Sequence, residues 1–410
     1  MANIYEELKE RGFVAQVSDE NAVRKMLGEK PATFYIGFDN TATSLHAGSL
    51  VPIMAMVHLR LAGHRAIAVV GGGTTMVGDP SGKTEMRQML DEETIRSYGR
   101  AIHAQLDRYL KFDGVGALAV DNAEWLLPLS YVQFLREIGR HFSVNRMLAA
   151  EAYKLRLEKG LSFIEFNYQL LQAYDYLHLH RTFGCTLQMG GDDQWGNILA
   201  GVDLIRRVES ATAEALTFPL LASASGAKMG KTAQGAVWLD GSLYSPYEFF
   251  QYWVNCDDRD VGRFLRLYTL LPLEEINRLE GLRDKEINEA KRLLAFEATR
   301  LTHGEEAARE ARAAAAAAFG IAGEKDIAFV PTTRISRSRL QAGIAPAELF
   351  TEVGLTSSRG EAKRLIKQGG LYLNDERIES PERLISDKDV TGDGLLLKAG
   401  KKKIHRLVSD

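Results

Sequence analysis

Residues 33–70 read TFYIGFDNTATSLHAGSLVPIMAMVHLRLAGHRAIAVV, and this stretch decides the fold class. It joins two β-like apolar runs, at 33–38 and 66–70, through a helical pattern at 49–62. The alternation continues with the runs ALAV (117–120) and CTLQM (185–189), between helical patterns at 91–110, 130–139 and 161–178. Strands that alternate with helices of this length indicate a parallel sheet that is covered on both faces. We therefore predict an α/β fold whose ligands bind beyond the carboxyl ends of the strands.

The pattern changes at Ser245. From there to about residue 320 it is only helical, with apolar positions spaced near 3.6 residues in KEINEAKRLLAFEATRLTHG. Further on, GEAKRLIKQGG predicts a basic helix that ends at glycine, and LYLNDERI predicts a hairpin that turns at Asn374-Asp375. The predicted parts are a parallel-sheet domain at 1–222, a loop and linker at 223–244, an α-helical domain at 245–320, a linker at 321–344 and a small α+β domain at 345–410.

Charge and composition limit the possible classes of protein. The net charge of −3 divides into −7 for residues 1–330 and +4 for residues 331–410, which favours a polyanionic partner for the tail. Cys185 and Cys256 are too few for a disulfide framework or a cysteine-rich zinc site. The opening MANIYEELKERGF has no apolar signal core, and no apolar run is long enough to span a membrane. We therefore expect a cytoplasmic protein.

Two segments near the first strands suit a phosphate-bearing ligand. His46 and Thr41 stand before a helix start, whose amides attract anions, although an exposed histidine beside a capped helix would look the same. The loop GGGTTMVGDPSGKT (71–84) is not a Walker A motif, because Val77 stands where that motif needs glycine. Lys83 and Arg87 could still share a helical face beside the loop, or be solvated charges after a turn.

A third basic segment, GAKMGKT (226–232), carries two lysines three residues apart. Lys228 and Lys231 in a flexible loop suit transient phosphate binding, although an ordinary solvated loop has the same composition.

The helical segment FIEFNYQLLQAYDYL (163–177) places Tyr168, Gln172 and Asp175 on one face, at i, i+4 and i+7. The rest of this helix is apolar, so these polar groups are expected to be buried, and buried polar groups need partners. A ligand with an ammonium group and a hydroxyl would supply them. A polar network within the protein is the alternative.

In QMGGDDQWGN (188–197), a strand end, two glycines and two adjacent acids precede an amphipathic helix. The acids could bind a ribose diol, or one of them could cap the helix. No His or Cys stands nearby at ligand spacing, and the pair His178 and His180 is too small for a metal site. We find no Ser-His-Asp pattern, which is consistent with two bound substrates that react with each other.

Taken in order, these segments resemble the class I aminoacyl-tRNA synthetases, and specifically the bacterial-type tyrosyl branch. HAGS resembles the HIGH motif of that class, and KMGKT (228–232) resembles its KMSKS motif. YIGFD, GDPSG, YxxxQxxD and QxGGxDQWGN resemble blocks of the tyrosyl branch. The resemblance implies a Rossmann-like domain that forms tyrosyl-adenylate and pyrophosphate from tyrosine and ATP. It then transfers tyrosine to the 3′-terminal ribose of tRNA(Tyr).

The resemblance also implies a role for each matching position. Tyr35 and Asp175 would bind the phenolic hydroxyl. Asp79, Tyr168 and Gln172 would hold the ammonium group, with Gln194 at the carboxylate. Gly191 and Asp193 would meet the ribose. The residues implied to bind tyrosine are Tyr35, Asp79, Tyr168, Gln172, Asp175 and Gln194. Those implied to bind ATP are Asp39, Thr41, His46, Ser49, Gly191, Asp193, Lys228 and Lys231. Those implied to act on the triphosphate are His46, Lys83, Arg87, Lys228, Lys231 and Thr232. Mg²⁺ would accompany ATP, and no tightly bound metal is expected.

Some positions depart from the commonest pattern. Ser49 replaces the second histidine of HIGH, which puts a ribose contact in doubt, and Gly230 and Thr232 stand where KMSKS has serine. Asp192 adds a charge beside Asp193 without an obvious role.

The tail SSRGEAKRLIKQGGLYLNDERI (357–378) resembles an S4-like RNA-binding domain. The family then implies that the tail and the helical domain bind tRNA and that the enzyme is a homodimer; neither DNA nor a membrane is an expected partner. The residues expected to contact RNA are Arg359, Lys363, Arg364 and Lys367. A tryptophanyl enzyme is the nearest alternative, which the phenol-reading pair Tyr35 and Asp175 argues against. A non-catalytic RNA-binding protein on the same scaffold is the other, which the retained His46 and lysines argue against.

Overall fold

The structure is a computed structural model. It describes residues 3–81, 89–149, 153, 157, 160–224, 226, 229–232, 235–284, 286–318, 332–374, 376–391, 394–400 and 403–409, with the backbone alone at 231, 232, 317, 318, 403 and 409. The chain forms two compact units. Unit 1 contains Met1–Tyr244 and Asp257–Asp284, and unit 2 contains Ser245–Cys256 and Lys285–Asp410.

The strands are β1 Gln16–Val17, β2 Thr33–Asp39, β3 Arg65–Gly71, β4 Ala117–Asp121, β5 Cys185–Gly191, β6 Glu214–Phe218, β7 Lys231–Thr232, β8 Gly235–Ala236, β9 Thr332–Ile335, β10 Leu371–Leu373, β11 Glu376–Arg377, β12 Leu395–Ala399 and β13 Lys403–Ser409. The helices are α1 Ile4–Arg11, α2 Glu20–Glu29, α3 Leu50–Leu61, α4 Gly72–Thr75, α5 Glu92–Leu110, α6 Ala123–Leu126, α7 Tyr131–Glu137, α8 Val144–Ala149, α9 Phe163–Phe166, α10 Tyr168–Phe183, α11 Trp195–Glu209, α12 Pro246–Val254, α13 Val261–Tyr268, α14 Leu273–Glu280, α15 Ile287–His303, α16 Glu305–Ala318, α17 Arg337–Ala342, α18 Pro346–Glu352 and α19 Arg359–Lys367.

The sheet of unit 1 has the strand order β1-β6-β5-β2-β3-β4. All of its pairs are parallel except that between β1 and β6. Helices cover both faces of such a sheet, so its central strands are continuous apolar runs rather than alternating ones. Phe34, Ile36, Ile67 and Val69 are accordingly buried. This confirms the predicted α/β class and the four predicted strands.

The edge strand β1 and its neighbour β6 were not predicted from the sequence. β6 is short, and the polar Glu214 and Thr217 interrupt its apolar pattern, although both side chains are buried. β1 has only two residues and pairs with β6 through Gln16 and Thr217. They extend the parallel sheet on the side of β5.

The predicted helix at 161–178 is two helices, α9 and α10, which meet at Asn167. A capping box at Ser162 and Glu165 begins α9. α10 continues beyond the prediction until Gly184, whose left-handed backbone ends the helix. Tyr168 is therefore the first residue of α10, with Gln172 and Asp175 one and two turns later.

The segment 257–284, which lies within the predicted helical domain 245–320, belongs to unit 1. The buried guanidinium of Arg11 on α1 donates hydrogen bonds to the carbonyl oxygens of Arg266 and Leu271. α13 also has an apolar face, on which Phe264, Leu265 and Leu267 are buried.

Unit 2 contains the helices α12, α15 and α16 and a sheet of order β11-β10-β12-β13-β9. The sheet and α17–α19 share an apolar core whose buried residues lie between Ile335 and Leu407. The described part of the predicted linker 321–344 forms β9 and α17, which contribute Ile335, Leu340 and Ile344 to this core. Asn374 has a left-handed backbone at the predicted hairpin turn; Asp375 lies outside the described residues.

Within the described ranges, no helix is long and apolar enough to cross a bilayer.

Candidate active site

A cavity of about 820 Å³ opens in unit 1 at the carboxyl ends of β2, β3 and β5. Asp39, Gly71 and Gly191 are the last residues of these strands, and all three line the cavity. Parallel strands end at the same edge of the sheet, which explains why residues distant in sequence meet there. The predicted site residues that line the cavity are Tyr35, Asp39, Thr41, His46, Ser49, Asp79, Tyr168, Gln172, Asp175, Gly191, Asp193 and Gln194.

The tyrosine side chain of Tyr35 lies deep in this cavity with 2% of its surface exposed. Its ring packs edge-on against Tyr176, with ring centroids 5.3 Å apart. Its hydroxyl has no hydrogen-bond partner among the residues that the structure describes. Burial, followed by the nearby charge of Asp175, raises the pKa of Tyr35 well above its ordinary value, so the hydroxyl keeps its proton. A bound molecule with a hydroxyl group could pair with this donor.

Asp175 is held by two donors that sequence reasoning missed. Asn122 Nδ2 donates to Oδ2 at 2.8 Å, and Trp125 Nε1 donates to Oδ1 at 2.7 Å. Burial raises the pKa of Asp175 to about 7, and the Asn122 and Trp125 hydrogen bonds oppose this shift. Asn122 follows the end of β4 directly, so the position of a strand end was the available signal. Trp125 gave no comparable signal; its ring stacks on His178 at 4.4 Å.

A second chain of hydrogen bonds connects the predicted ammonium site to Asp39. The Tyr168 hydroxyl donates to Asp39 Oδ2 at 3.1 Å, and the Thr74 hydroxyl donates to Asp39 Oδ1 at 2.9 Å. Asn122 Nδ2 donates to Thr74 Oγ1 at 3.0 Å, which links this chain to Asp175. Thr74 was also missed. The protein therefore supplies hydrogen-bond partners for Tyr168 and Asp175, two of the three polar residues on this face of α10.

Two glutamine side chains, Gln172 on α10 and Gln188 on β5, are not fully satisfied within the described protein. Gln172 Oε1 and Gln188 Oε1 are buried and have no hydrogen-bond partner there, and both residues line the cavity. Gln188 lies on β5 directly opposite Tyr35 on β2, and sequence reasoning did not single it out as a ligand contact. Buried polar atoms without partners are costly, so these positions indicate a polar ligand.

Asp79 and Gln194 form one hydrogen-bonded group on the other side of the cavity. Gln194 Nε2 donates to Asp79 Oδ2 at 2.7 Å, and Ser81 N donates to Asp79 Oδ1 at 3.0 Å. Asn197 Nδ2 donates to Gln194 Oε1 at 3.2 Å. The Gly78–Ser81 turn and the start of α11 are thus fixed to each other.

The two segments that resemble HIGH and KMSKS pack against each other. His46 Nδ1 accepts a hydrogen bond from Gly48 N at 3.0 Å. Gly230 has φ +77°, and a Cβ there would lie 2.5 Å from Gly48 N and 2.8 Å from His46 Nδ1. Only glycine fits this position without displacing its neighbours. The glycine in place of serine therefore permits backbone contact between the two segments.

Several predicted phosphate contacts cannot be located. Lys83, Arg87 and Lys228 lie outside the described residues, and Lys231 and Thr232 are described only as backbone in the hairpin of β7 and β8.

The adjacent acids of QMGGDDQWGN have different environments. Asp193 lines the cavity beside Gly191, where a Cβ would lie 2.6 Å from Asp193 Oδ1. Asp192 Oδ1 instead accepts hydrogen bonds from Thr217 and Gln16. Neither carboxylate caps α11, whose N-cap residue is Gln194. Within the described part of the chain, no group of three His, Cys, Asp or Glu residues is arranged to hold a metal ion.

The predicted RNA-contacting residues lie on α19 in unit 2. The helix buries Ala362 and Ile366 in the core of its domain. The predicted residues on its exposed surface are Arg359, Lys363, Arg364 and Lys367. Arg359 pairs with Glu348 at 3.4 Å on an exposed surface, where an ion pair contributes little.

Comparisons with known proteins show the family to which the chain belongs. The model of a family described as tRNA synthetases class I (W and Y) matches residues 27–320. The chain belongs to this family. A second family, described as the tyrosine–tRNA ligase SYY-like C-terminal domain, matches residues 324–407 of this class I synthetase.

Relatives of this synthetase match it over nearly all of its length. A tyrosine–tRNA ligase of Syntrophus aciditrophicus is 55% identical, over 98% of this chain and 98% of the relative. A tyrosine–tRNA ligase of Clostridium botulinum is 52% identical over 100% of both chains. A C-terminally truncated mitochondrial tyrosyl-tRNA synthetase of Aspergillus nidulans has a similar structure, with a TM-score of 0.69 and 29% identity over 76% of this chain and 93% of that one.

Proposed function

We propose that the strand-end cavity activates tyrosine with ATP and that different walls of the cavity bind the two substrates. The overall reaction is that of a tyrosine–tRNA ligase, the activity named for the full-length relatives at 52–55% identity. One observation carries the proposal: the buried Tyr35 hydroxyl has no partner within the described protein, although it lies in a cavity with the hydrogen-bonded Asp175.

Tyr35 and Asp175 would read the phenolic hydroxyl of the substrate. The Tyr35 hydroxyl donates and a carboxylate oxygen of Asp175 accepts, so a phenol can satisfy both. The fixed donors Asn122 and Trp125 hold Asp175 in place. Phenylalanine would leave the Tyr35 hydroxyl unpaired and would donate no hydrogen bond to Asp175, which costs more than the loss of an apolar contact. The same pair argues against tryptophan, whose indole nitrogen only donates.

The amino-acid head group would bind one turn away along α10. Tyr168, Gln172 and Asp79, which line the cavity, would surround the ammonium group, and Gln194 would lie on the side of the carboxylate. Gln172 Oε1, which lacks a partner in the described protein, is an acceptor that an ammonium group can use. Because Gln194 already binds Asp79, both sides of the head group are positioned before tyrosine enters.

ATP would occupy the wall formed by the ends of β2 and β5 and by the 46–49 segment. Asp39, Ser49, Gly191 and Asp193 would hold the nucleoside. The residues proposed to surround the triphosphate are Thr41, His46, Lys83, Arg87, Lys228, Lys231 and Thr232. The tyrosine carboxylate attacks the α-phosphorus, and pyrophosphate leaves with its electron pair. Positioning and stabilisation of the developing charge supply the catalysis.

Mg²⁺ is proposed as a companion of ATP. This ion prefers substrate phosphates with one or two carboxylates to a cage built only of protein ligands. The ion would neutralise phosphate charge when bound.

The second step would place the 3′-terminal ribose of tRNA(Tyr) at the same cavity, while the C-terminal domain binds the RNA elsewhere. The exposed cations of α19 support this role, since RNA affinity depends on neutralising phosphates. Truncation after Gly323 tests it. The C-terminal core uses only residues from Ile335 onward, so its removal leaves the cores of unit 1 intact.

The truncated protein should keep tyrosine-dependent ATP–pyrophosphate exchange near the full-length rate, while tRNA charging collapses. Its residual tRNA binding should depend less steeply on salt. Charging at the parental rate would refute the proposed role of the tail.

We also propose a homodimer, as the resemblance implies. Large apolar side chains are exposed between residues 127 and 164 of unit 1, and helix α7 has no buried residue. The most exposed of them are Tyr131, Val132, Val144 and Phe163. Such a surface is unusual for a monomer and suits a second copy of the chain. Sedimentation equilibrium should show a dimer, and Val132→Asp with Phe163→Asp should shift it to monomer; a monomeric parent would refute the proposal.

The cytoplasmic location stays a prediction.

The activity itself is tested most sharply by Asp175→Ala in the full-length protein. The exchange reaction should lose most of its rate, because the phenol then loses the Asp175 acceptor and keeps only the Tyr35 hydroxyl as an assigned partner. Near-parental exchange would remove Asp175 from the tyrosine site.

A further inference from the structure

Asp192 is the acid of QMGGDDQWGN to which no role in substrate binding has been assigned. Its Oδ1 accepts a hydrogen bond of 2.7 Å from the Thr217 hydroxyl and another of 2.7 Å from Gln16 Nε2. Thr217 lies on β6 and is fully buried, and Gln16 lies on β1. One carboxylate oxygen is thus tied to two strands at the edge of the sheet.

The position of Asp192 in the chain gives this contact a consequence for the active site. Asp192–Gln194 form a single turn of 3₁₀ helix between the end of β5 and the start of α11. The turn follows Gly191 and carries Asp193, which both line the cavity. Short 3₁₀ turns have poorer hydrogen-bond geometry than α-helices, so outside contacts matter more for their position.

The contacts also lie in register with the sheet. Gly190 of β5 pairs with Thr217 of β6, and Gln16 of β1 pairs with the same Thr217. The Asp192 side chain reaches back to this row two residues after Gly190. The backbone N–H of Gln16 also donates to Thr217 Oγ1 at 3.2 Å, which orients the hydroxyl. The row therefore fixes the turn relative to three strands.

We propose that Asp192 is a positioning residue for ATP. Its contacts with Thr217 and Gln16 hold the turn so that Gly191 and Asp193 face the ribose. The inference rests on the proposed ribose role of Gly191 and Asp193. It assigns Asp192 an acceptor role in which the negative charge is not required. Gln194 has further anchors in Asp79 and Asn197, so the tyrosine side of the cavity depends less on this contact.

The test compares four single variants of the full-length protein, and the double variant Asp192→Ala with Thr217→Val, in ATP–pyrophosphate exchange. Asp192→Ala removes the acceptor, Thr217→Val removes the hydroxyl at nearly constant shape, and Asp192→Asn keeps an oxygen that accepts both hydrogen bonds. Asp193→Ala reports directly on the ribose contact. Equilibrium binding of tyrosine without ATP is measured for each variant.

Asp192→Ala and Thr217→Val should each lower kcat/KM for ATP by about 10-fold or more, because the turn loses a hydrogen bond that fixes it and the displaced groups lose further rate. Tyrosine affinity should stay within about threefold, since Gln194 keeps its own anchors. The double variant should lose no more than the larger single loss, because both substitutions remove the same hydrogen bond, from Thr217 to Asp192. Asp192→Asn should restore most of kcat/KM.

Two results would overturn the inference. If Asp192→Asn lost as much as Asp192→Ala, the charge rather than the contact would matter. If Asp193→Ala raised the KM for ATP while Asp192→Ala did not, the contact would not position the turn. An Asp193→Ala variant with parental KM for ATP would instead refute the proposed ribose role itself, which separates the two failures.

Discussion

Replacing Tyr35 with phenylalanine should change stability and tyrosine binding in opposite directions. The hydroxyl is buried and has no hydrogen-bond partner among the described residues. A buried unsatisfied hydroxyl costs about 1–3 kcal/mol, so its removal should leave the free energy of unfolding unchanged or raise it by up to that amount. Core substitutions usually destabilise, which makes this sign informative.

Tyrosine binding should weaken in the same variant. The complex loses one hydrogen bond of about 0.5–1.5 kcal/mol, which corresponds to roughly 2- to 12-fold in affinity. Phenylalanine should bind better than it does to the parent, since the variant no longer leaves a buried hydroxyl unpaired. Urea denaturation without ligand and calorimetric titration with both amino acids measure these changes.

Tyr176→Phe is the matched control. Tyr176 is equally buried, but its hydroxyl donates to the carbonyl oxygen of Glu214 at 2.8 Å. Its loss should destabilise the free protein and leave tyrosine affinity unchanged. The reasoning is refuted if Tyr35→Phe destabilises the protein as Tyr176→Phe does and binds tyrosine with parental affinity.

Three further predictions concern the GAKMGKT loop (226–232) and the carboxylate of Asp175. Lys231→Ala should slow adenylate formation roughly 10²-fold in single-turnover assays, because it removes charge stabilisation from the transition state; an equal fall in tyrosine affinity would contradict this. Gly230→Ala should slow the same step by displacing Gly48 and His46, whereas Gly226→Ala, with φ +83° and open space around it, should not. The pKa of Asp175 is raised to about 7, so its contribution to stability is full below the unfolded value near 4 and is lost as the pH rises through about 7. The free energy of unfolding of the parent relative to Asp175→Asn should therefore fall over that range in urea titrations, and a flat difference would refute the shift.

The sequence allowed prediction of the central sheet because its strands are buried on both faces and form uninterrupted apolar runs. It also placed Tyr168, Gln172 and Asp175 together, because helical spacing is fixed once a helix is assigned. Strands β1 and β6 were missed because β1 is two residues long and because Glu214 and Thr217 break the apolar pattern of β6.

The site residues that the sequence did not predict are of two kinds. Some hold another site residue in place, and Gln188 lies on the strand next to that of Tyr35. Asn122 and Trp125 hold Asp175 across about 50 residues of sequence, a relation set by tertiary packing that no local pattern encodes. Thr74 reaches Asp39 in the same way. Asp192 was visible as an extra acid, but its partners on β1 and β6 depend on strands that were not predicted.

The most direct test of the account is amino-acid selectivity in ATP–pyrophosphate exchange by the full-length protein. Tyrosine, phenylalanine and tryptophan are compared as kcat/KM under identical ATP concentrations. We predict exchange with tyrosine and a value for phenylalanine lower by roughly 10²- to 10⁴-fold. The Tyr35 hydroxyl is then left unpaired at about 1–3 kcal/mol, and a hydrogen bond to the Asp175 carboxylate of about 1.5–3 kcal/mol is not made. Tryptophan should support little exchange. Equal exchange with phenylalanine, or a preference for tryptophan, would contradict the assignment of Tyr35 and Asp175 to the phenolic hydroxyl.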